Sequence, residues 1–479
     1  MSSVRPLATD GPSLGRGLYC NRTLNLKAIK VVGFDMDYTL VHYHTEDWER
    51  RAYEHLKARL AHRGWPVAAL EFDAELVMRG LIVDVEKGNV LKANRFGYVK
   101  QAMHGTRMLG FEELRATYMR TMTDLSLPRY RFMNTLFSLS EGCMYAQLVD
   151  LVDRGAISGA PIGYRELYQI VRENIDATHT EGELKAEVMA SPERFVDLDP
   201  DTVLALLDMH HAGKRLVLIT NSEWEYTQAM MSYAFDPFLP GGMKWTELFE
   251  LNVCGARKPE FFDKTSPLLE VVDRELGLMR PVVGALKKHG CYFGGHASQI
   301  ESHLRVSGDE ILYLGDHMFG DVHVSKSVLR WRTCLVLREI EDEIAACEAM
   351  RVPQAELSAL MAEKEQLEWR YVQLRLAVQR GKLGYGPKGA DAESTSRGLA
   401  ALRTELDALD ERIGPFAEQT GHALNERWGL LMRAGNDKSQ LARQVERYAD
   451  VYTSRVSNFL HATPFAYLRS PRGTLPHDR

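Results

Sequence analysis

Apolar and polar residues follow different rhythms along this chain, and the rhythm changes where chemistry collects. Short unbroken apolar runs, the pattern of strands buried on both faces, occur at Val31–Phe34, Leu216–Ile219 and Ile311–Leu314. Each run stops at polar residues: Asp35-Met36-Asp37-Tyr38-Thr39, then Thr220-Asn221-Ser222, then Gly315-Asp316 with Asp321 five residues further on. In a parallel α/β sheet the carboxyl ends of the strands form the ligand crevice, so acids placed there stay near solvent and can meet a substrate. The alternative is a set of strands that merely end in acidic turns.

Asp35 and Thr220 stand 185 residues apart, too far for one crossover helix and far enough for a whole inserted domain. Within that span His42 to Arg63 predicts a charged helix. Leu70 to Val90 predicts strand-turn-strand through Glu86-Lys87-Gly88-Asn89. Phe111 to Leu184 is mostly helical, with Leu136, Leu139, Met144, Leu148 and Leu151 at helical spacing, then Leu167, Ile170 and Ile175. A lid over the crevice is the expected use of such an insertion. Beyond Arg338, Leu357, Leu360, Leu367, Tyr371, Leu374 and Val378 alternate by threes and fours with Lys364 as the one break, and Leu399, Leu402, Leu406, Leu409, Ile413 and Phe416 keep the spacing intact. The Gly-, Ser- and charge-rich segment Gly381 to Gly398 separates them. This predicts a helical hairpin that either packs on the body or pairs with another subunit. Gln440 to Tyr467 reads as a last helix carrying Tyr448, Tyr452 and Phe459, before a Pro-rich tail. The expected domains are a core of 1–40 with 190–338, an inserted cap of 41–189, a hairpin of 339–425, and a C-terminal helix and tail of 426–479 packing on the core.

A chain of 479 residues, 45% hydrophobic and 26% charged, buries enough for two or three domains. The net charge of −6 gives no basic field, which argues against nucleic acid as a partner and confines any phosphate binding to a local site. Six scattered cysteines without C-x-x-C spacing predict reduced thiols rather than disulfides or a zinc site. Met1 to Arg16 has no apolar signal core and no later run is long enough to span a bilayer, so a cytoplasmic, membrane-free protein is expected.

The strand ends, together with Ala256-Arg257-Lys258-Pro259-Glu260, supply an Asp-x-Asp-x-Thr, a hydroxyl-amide-hydroxyl trio, a lysine and a pair of acids. A phosphate monoester is a dianion, and a carboxylate approaching it meets about 4 kcal/mol of repulsion per charge pair at 4 Å and an effective dielectric near 20. A hard divalent metal with oxygen ligands cancels this, and Mg²⁺ held by Asp35 and Asp316 is the natural choice. Asp35 then attacks phosphorus to form an aspartyl-phosphate, while Thr220, Ser222 and Lys258 hold its oxygens. Asp37 is displaced by one peptide unit and serves as acid and then base for the leaving oxygen and the incoming water. His317 and His323 flank these acids, but a hard ion prefers oxygen, so they are read as structural.

This combination resembles the haloacid dehalogenase (HAD) superfamily of phosphatases. Gly33-Phe34-Asp35-Met36-Asp37-Tyr38-Thr39-Leu40, Thr220-Asn221-Ser222, Ala256-Arg257-Lys258-Pro259 and Gly315-Asp316-His317 to Gly320-Asp321 resemble, more narrowly, the cytosolic purine 5′-nucleotidases. Arg443-Gln444-Val445-Glu446-Arg447-Tyr448-Ala449-Asp450 and the closing Leu475-Pro476-His477-Asp478 extend the likeness over most of the chain. The resemblance implies a Rossmann-like parallel sheet with a large inserted cap. It implies a nucleoside monophosphate substrate of IMP or GMP type, with phosphate transfer to a nucleoside as a second activity, and a homo-oligomer. It makes Asp35 the nucleophile and Asp37 the acid/base, with Mg²⁺ on Asp35, the Asp37 carbonyl and Asp316 and with Asp321 supporting that shell. It puts phosphate on Thr220, Asn221, Ser222 and Lys258. Arg172, Asp176 and His179 match a base-recognition helix, at a spacing that shares one face, and Phe137 matches an aromatic that stacks on the base. Taken without the resemblance, that helix face is equally a solvated ion-pair face and Phe137 a core aromatic. Ser138 departs from the asparagine expected of the purine enzymes. The rival readings are a HAD phosphatase for another phosphomonoester, such as a sugar phosphate, and a non-catalytic scaffold that keeps the fold.

Overall fold

A computed structural model describes residues 13–157, 162–180, 182–387, 392–471 and 473, leaving aside the side chains of 179, 180 and 392. The expected role of His179 and the closing Leu475–Asp478 motif therefore lie outside the described residues. The chain divides into two compact units, Met1–Glu341 with Leu431–Arg479, and Asp342–Leu430.

The first unit is built on a ten-stranded sheet in the order Leu18–Cys20, Val451–Thr453, Arg332–Val336, Ile311–Gly315, Val31–Phe34, Arg215–Ile219, Leu251–Cys254, Gly290–Gly294, Leu268–Asp273, Leu278–Pro281. The seven strands from Val451–Thr453 to Gly290–Gly294 run parallel, and antiparallel strands close both edges. The sheet is thus mostly parallel α/β, as the unbroken apolar runs of the sequence imply. Val31–Phe34 lies between the strands ending at Ile219 and Gly315, so the three apolar runs of the sequence are adjacent and their polar tips meet. Gly33 is required by its neighbour: a Cβ there would stand 2.7 Å from the Tyr313 ring.

The segment read as one helix from Gln440 to Tyr467 is not one. The helix ends at Tyr448, and Val451–Thr453 is a strand inserted parallel to Arg332–Val336. Asp450 makes the change of direction. Its buried Oδ2 accepts the Thr333 N–H at 3.0 Å and meets Lys326 at 2.6 Å and Arg332 at 3.1 Å. Asp450→Ala strands two partly exposed cations and a buried N–H, so a loss of about 3 kcal/mol is expected in urea unfolding. A loss below about 1 kcal/mol would refute this account of the sheet edge.

The inserted region carries its own five-stranded antiparallel sheet, in the order Arg107–Met108, Val99–His104, Asn89–Ala93, Ile82–Asp84, Tyr130–Phe132. The expected strand-turn-strand is present from Ile82 onward, while Leu70 to Leu81 contains turns and no strand. Helices Thr45–His62, Leu139–Asp153 and Tyr164–Thr180 pack on one another, burying Tyr53, Leu56, Met144, Leu148, Leu167 and Val171. A short helix, Glu183–Ala190, is pinned to the first of these by a two-pronged pair from Arg51 to Glu187, at 2.8 and 2.7 Å.

The second unit is an antiparallel pair of helices, Arg351–Leu383 and Ala392–Gly421. Leu360, Leu409 and Ile413 form its buried seam, flanked by Leu357, Leu367 and Phe416. Lys364, the break in the heptad pattern, sits at the seam and is matched by an ion pair to Asp410 of the opposite helix.

Candidate active site

The strand Val31–Phe34 ends in a tight turn in which the Met36 carbonyl accepts the N–H groups of Thr39, Leu40 and Val41. The turn needs Tyr38 in the left-handed region at φ 53°, and it holds both Asp35 and Asp37 at the rim of one cavity of about 1400 Å³. Asn221, Ser222, Lys258, Asp316 and Asp321 line the same cavity from the neighbouring strand ends, and Phe137, Ser138, Arg172 and Asp176 line it from the insertion.

Lys258 stands between two acids, with Nζ 2.7 Å from Asp35 and 2.6 Å from Asp321, and also donates to the Tyr313 hydroxyl at 3.1 Å. Burial works against its charge, but Asp321 and Asp35 outweigh burial and hold Lys258 well above its ordinary value. Asp35 is itself pushed well up, chiefly by burial and despite Lys258, with the other acids adding to the rise. Its Oδ1 takes both Lys258 and the Met36 N–H, and Oδ2 has neither. Asp316 is pushed up to about 7 by burial, against the pull of Arg79. Thr135 donates to its carboxylate at 2.8 Å, and Arg79 donates to its backbone carbonyl. Asp321 is brought close because residue 315 is glycine: a Cβ there would stand 2.4 Å from the Asp321 carboxyl group.

Asp35, Asp316 and Asp321 each present a carboxylate oxygen within 4.8 Å of the others, all three residues buried. Among them lies one matched cation, Lys258; Arg79 is already faced by Glu339 at 3.5 Å. Fully ionised, the three buried carboxylates outnumber the Lys258 cation that two of them share, and every donor is a hard oxygen. The residues present therefore fit a divalent cation of the magnesium type better than a zinc or copper ion.

Asp37 points its carboxyl elsewhere. Tyr43 donates to one oxygen at 2.5 Å and Ser222 to the other at 2.7 Å, which separates it from the three-acid cluster. The phosphate-binding residues expected from sequence divide into groups. Ser222 faces Asp37. Asn221 spends its amide on the Lys258 backbone, accepting the N–H at 2.6 Å and donating to the carbonyl at 3.2 Å. Thr220 is buried behind the cavity, where its Oγ1 accepts the Ser222 N–H at 3.0 Å; a shelf for the motif, it presents no group to the crevice. His317 does line the cavity, but its Nδ1 accepts the Gly320 N–H and burial pushes it down to about 4, so the ring is neutral.

On the opposite wall Arg172 meets Glu141 at 2.8 Å and Asp176 at 3.0 Å. Phe137 packs edge-on against Tyr38 and Trp48, with ring centroids 4.7 and 5.6 Å apart, and still borders the cavity. It packs on one face against the core and borders open space on another.

Two residues went unseen in sequence. Lys185, on the helix pinned by Arg51 and Glu187, reaches the Ser222 hydroxyl at 3.3 Å and lies 4.9 Å from the Tyr226 ring centroid. Arg79 joins the insertion to the Asp316 loop and to the Asn134 carbonyl at 3.1 Å. Neither sits in a local motif; only the fold brings Lys185 to the crevice and Arg79 to the backbone of Asp316 behind it.

A 5′-nucleotidase domain-containing protein of Dictyostelium discoideum is 25% identical over 476 residues, spanning 96% of this chain and 74% of its own. Two solved structures align with 64% of this chain and 86% of their own: CbbY from Rhodobacter sphaeroides in complex with phosphate, at 16% identity and a TM-score of 0.26, and an archaeal β-phosphoglucomutase from Pyrococcus, at 11% and 0.31. The model of the 5′ nucleotidase family matches residues 18–479. With the motif acids, the lysine and the inserted region all in one unit around one cavity, the chain belongs to the 5′ nucleotidase family.

Proposed function

We propose that the protein is a Mg²⁺-dependent 5′-nucleotidase that hydrolyses purine nucleoside 5′-monophosphates through an aspartyl-phosphate. The observation that carries this reading is the pairing of Asp35 with Lys258 at 2.7 Å beside Asp316 and Asp321. Asp35, the Asp37 carbonyl and Asp316, with Asp321 in support, would hold a divalent cation, which would supply the positive charge that lets a dianionic phosphate approach a carboxylate.

Oδ2 of Asp35 forms the new bond to phosphorus as the bond to the ester oxygen breaks, and the departing oxygen takes its proton from Asp37. In the second half Asp37 removes a proton from water, whose oxygen attacks phosphorus and releases Asp35 and inorganic phosphate. The Tyr43 and Ser222 hydroxyls fix the orientation of Asp37 for both steps. Lys258 and Lys185 neutralise the phosphoryl oxygens, with Asn221 and Thr220 holding Lys258 and Ser222 in place. Because the intermediate is covalent, an alcohol of suitable shape replaces water and yields phosphate transfer.

The residues 41–189 act as the cap, and its Arg172, Asp176 and Phe137 contact the base, with His179 assigned to the same face from sequence. Ser138 favours a second reading, in which a smaller side chain loosens base selection and a sugar phosphate competes. The reading also places the protein in the cytosol, supported by six cysteines that are all free; no described helix is long and apolar enough to cross a membrane.

The deciding measurement is phosphate release over a panel of nucleoside and sugar monophosphates, with Mg²⁺ and with chelator. IMP and GMP are expected to exceed sugar phosphates by about tenfold or more, and chelation to stop release. Equal rates on both classes would remove the base-recognition assignment. No release from any ester would leave the scaffold reading standing.

A further inference from the structure

The hairpin has a second face that its own partner helix does not use. On Arg351–Leu383, residues Leu360, Leu367 and Leu374 point toward the other helix of the pair, and half a turn away Ala355, Ala362, Trp369, Leu376 and Leu383 recur every seven residues. Trp369 is 64% exposed and Leu383 70%, with Val372 and Met361 also exposed beside them. A shallow groove of about 530 Å³ lies there, lined by Ala362, Glu365, Gln366, Trp369 and Arg370. A heptad line with a bare tryptophan is the pattern of a helix that lacks its mate.

We propose that this face pairs with the same face of a second copy of the chain, antiparallel, about a two-fold axis between Glu365 and Gln366. The order of side-chain sizes selects that occupant. Small residues stand in the first half of the line and large ones in the second. An antiparallel copy therefore sets Trp369 over the partner's Ala362 and Leu376 over the partner's Ala355, bulk into hollow at these two layers, while Leu383 lies beyond the start of the partner's helix. A parallel copy would set Trp369 against the partner's Trp369 and leave the alanines facing a void.

On one flank the charges agree with the same register. A two-fold axis of this kind brings like flanks together. Arg370 and Glu363 lie on one flank, and in this register Arg370 falls about 3 Å along the axis from the partner's Glu363. The pairing is repeated by symmetry. Arg370 has no ion-pair partner among the described residues, and Glu363 has only a 3.7 Å contact with Arg412. On the other flank Val372 meets the partner's Met361. Glu365 meets the partner's Glu365 beside the axis on that flank and Glu368 faces the partner's Glu365, water-exposed repulsions of small effect.

The interaction is independent of the catalytic reading and is tested on the full chain by sedimentation equilibrium. The wild-type protein is expected to associate as a dimer or a higher even oligomer. Trp369→Glu is expected to weaken that association by roughly 30-fold or more. Arg370→Glu alone weakens it, and Arg370→Glu with Glu363→Arg restores it. Gln366→Cys in a Cys347→Ser background is expected to form an intermolecular disulfide on mild oxidation, since residue 366 lies next to the axis. Circular dichroism checks that the exposed substitutions leave the helices formed. A monomer at all concentrations would overturn the proposal. So would an oligomer whose dissociation constant is the same in Trp369→Glu, or a Gln366→Cys variant that fails to cross-link.

Discussion

Asp35→Asn is expected to lower phosphate release from IMP by about 10⁴-fold or more while the protein stays folded. The amide keeps the shape of the side chain and can still accept from the Met36 N–H and Lys258, but it cannot become a leaving group from phosphorus. Lys258 also keeps Asp321 at 2.6 Å, so the substitution leaves no cation stranded in the interior. Removing one of three clustered carboxylates relieves their mutual repulsion, and the unfolding midpoint is expected to stay level or rise slightly. Phosphate assays with Mg²⁺ and thermal unfolding of the same preparation check both halves. Undiminished turnover would end the aspartyl-phosphate mechanism.

Lys258→Met is expected to remove activity and, unlike the first substitution, to destabilise the protein by about 3–5 kcal/mol. Asp35, Asp316 and Asp321 are all buried, and the lysine is the cation placed among them. Without it the acids must be protonated or matched by an ion. A divalent cation binds the folded state in preference to the unfolded chain, so millimolar Mg²⁺ is expected to recover part of the loss. Urea unfolding with and without Mg²⁺ measures it. A variant as stable as the wild type in chelator would show that Lys258 does not balance the cluster.

The two substitutions treat neighbouring residues in contact at 2.7 Å, yet they differ in sign for stability. The difference comes from burial. An asparagine satisfies the same hydrogen bonds as the acid it replaces, whereas a methionine leaves charges of one sign facing one another with little water between them.

Much of the body of the site was legible because it lies at strand tips. Apolar runs that end in Asp35, Thr220 and Asp316 announce both the strand and the position of its end, and a parallel sheet turns that information into proximity. Lys258 was legible for a related reason: the proline after it keeps the segment out of a helix. The hairpin was legible because a sustained three-and-four repeat has no other common solution.

Other parts were hidden for specific reasons. Val451–Thr453 looked helical because Tyr448, Tyr452 and Phe459 keep helical spacing, and three residues are too few to show a strand rhythm. What makes them a strand is the edge of Arg332–Val336, far upstream, together with the buried Asp450. Thr220 has the residue type of a phosphate ligand, but the turn directs its hydroxyl to the Ser222 N–H. Lys185 and Arg79 carry no motif at all, because their use depends on where the insertion sets down over the sheet.

The sequence by itself determined the acids, their order, the size of the insertion and the presence of a paired helix, since periodicity and local chemistry are properties of neighbouring residues. The tertiary structure alone decided which groups share charge. Asp321 joins Lys258 and Asp35 because glycine at 315 leaves room for its carboxyl. Asp37 is set apart by Tyr43 and Ser222. Lys185 arrives because Arg51 holds Glu187 two residues along the same helix. Charge balance in a buried site depends on distances between segments remote in the chain, and the packing of the fold sets those distances.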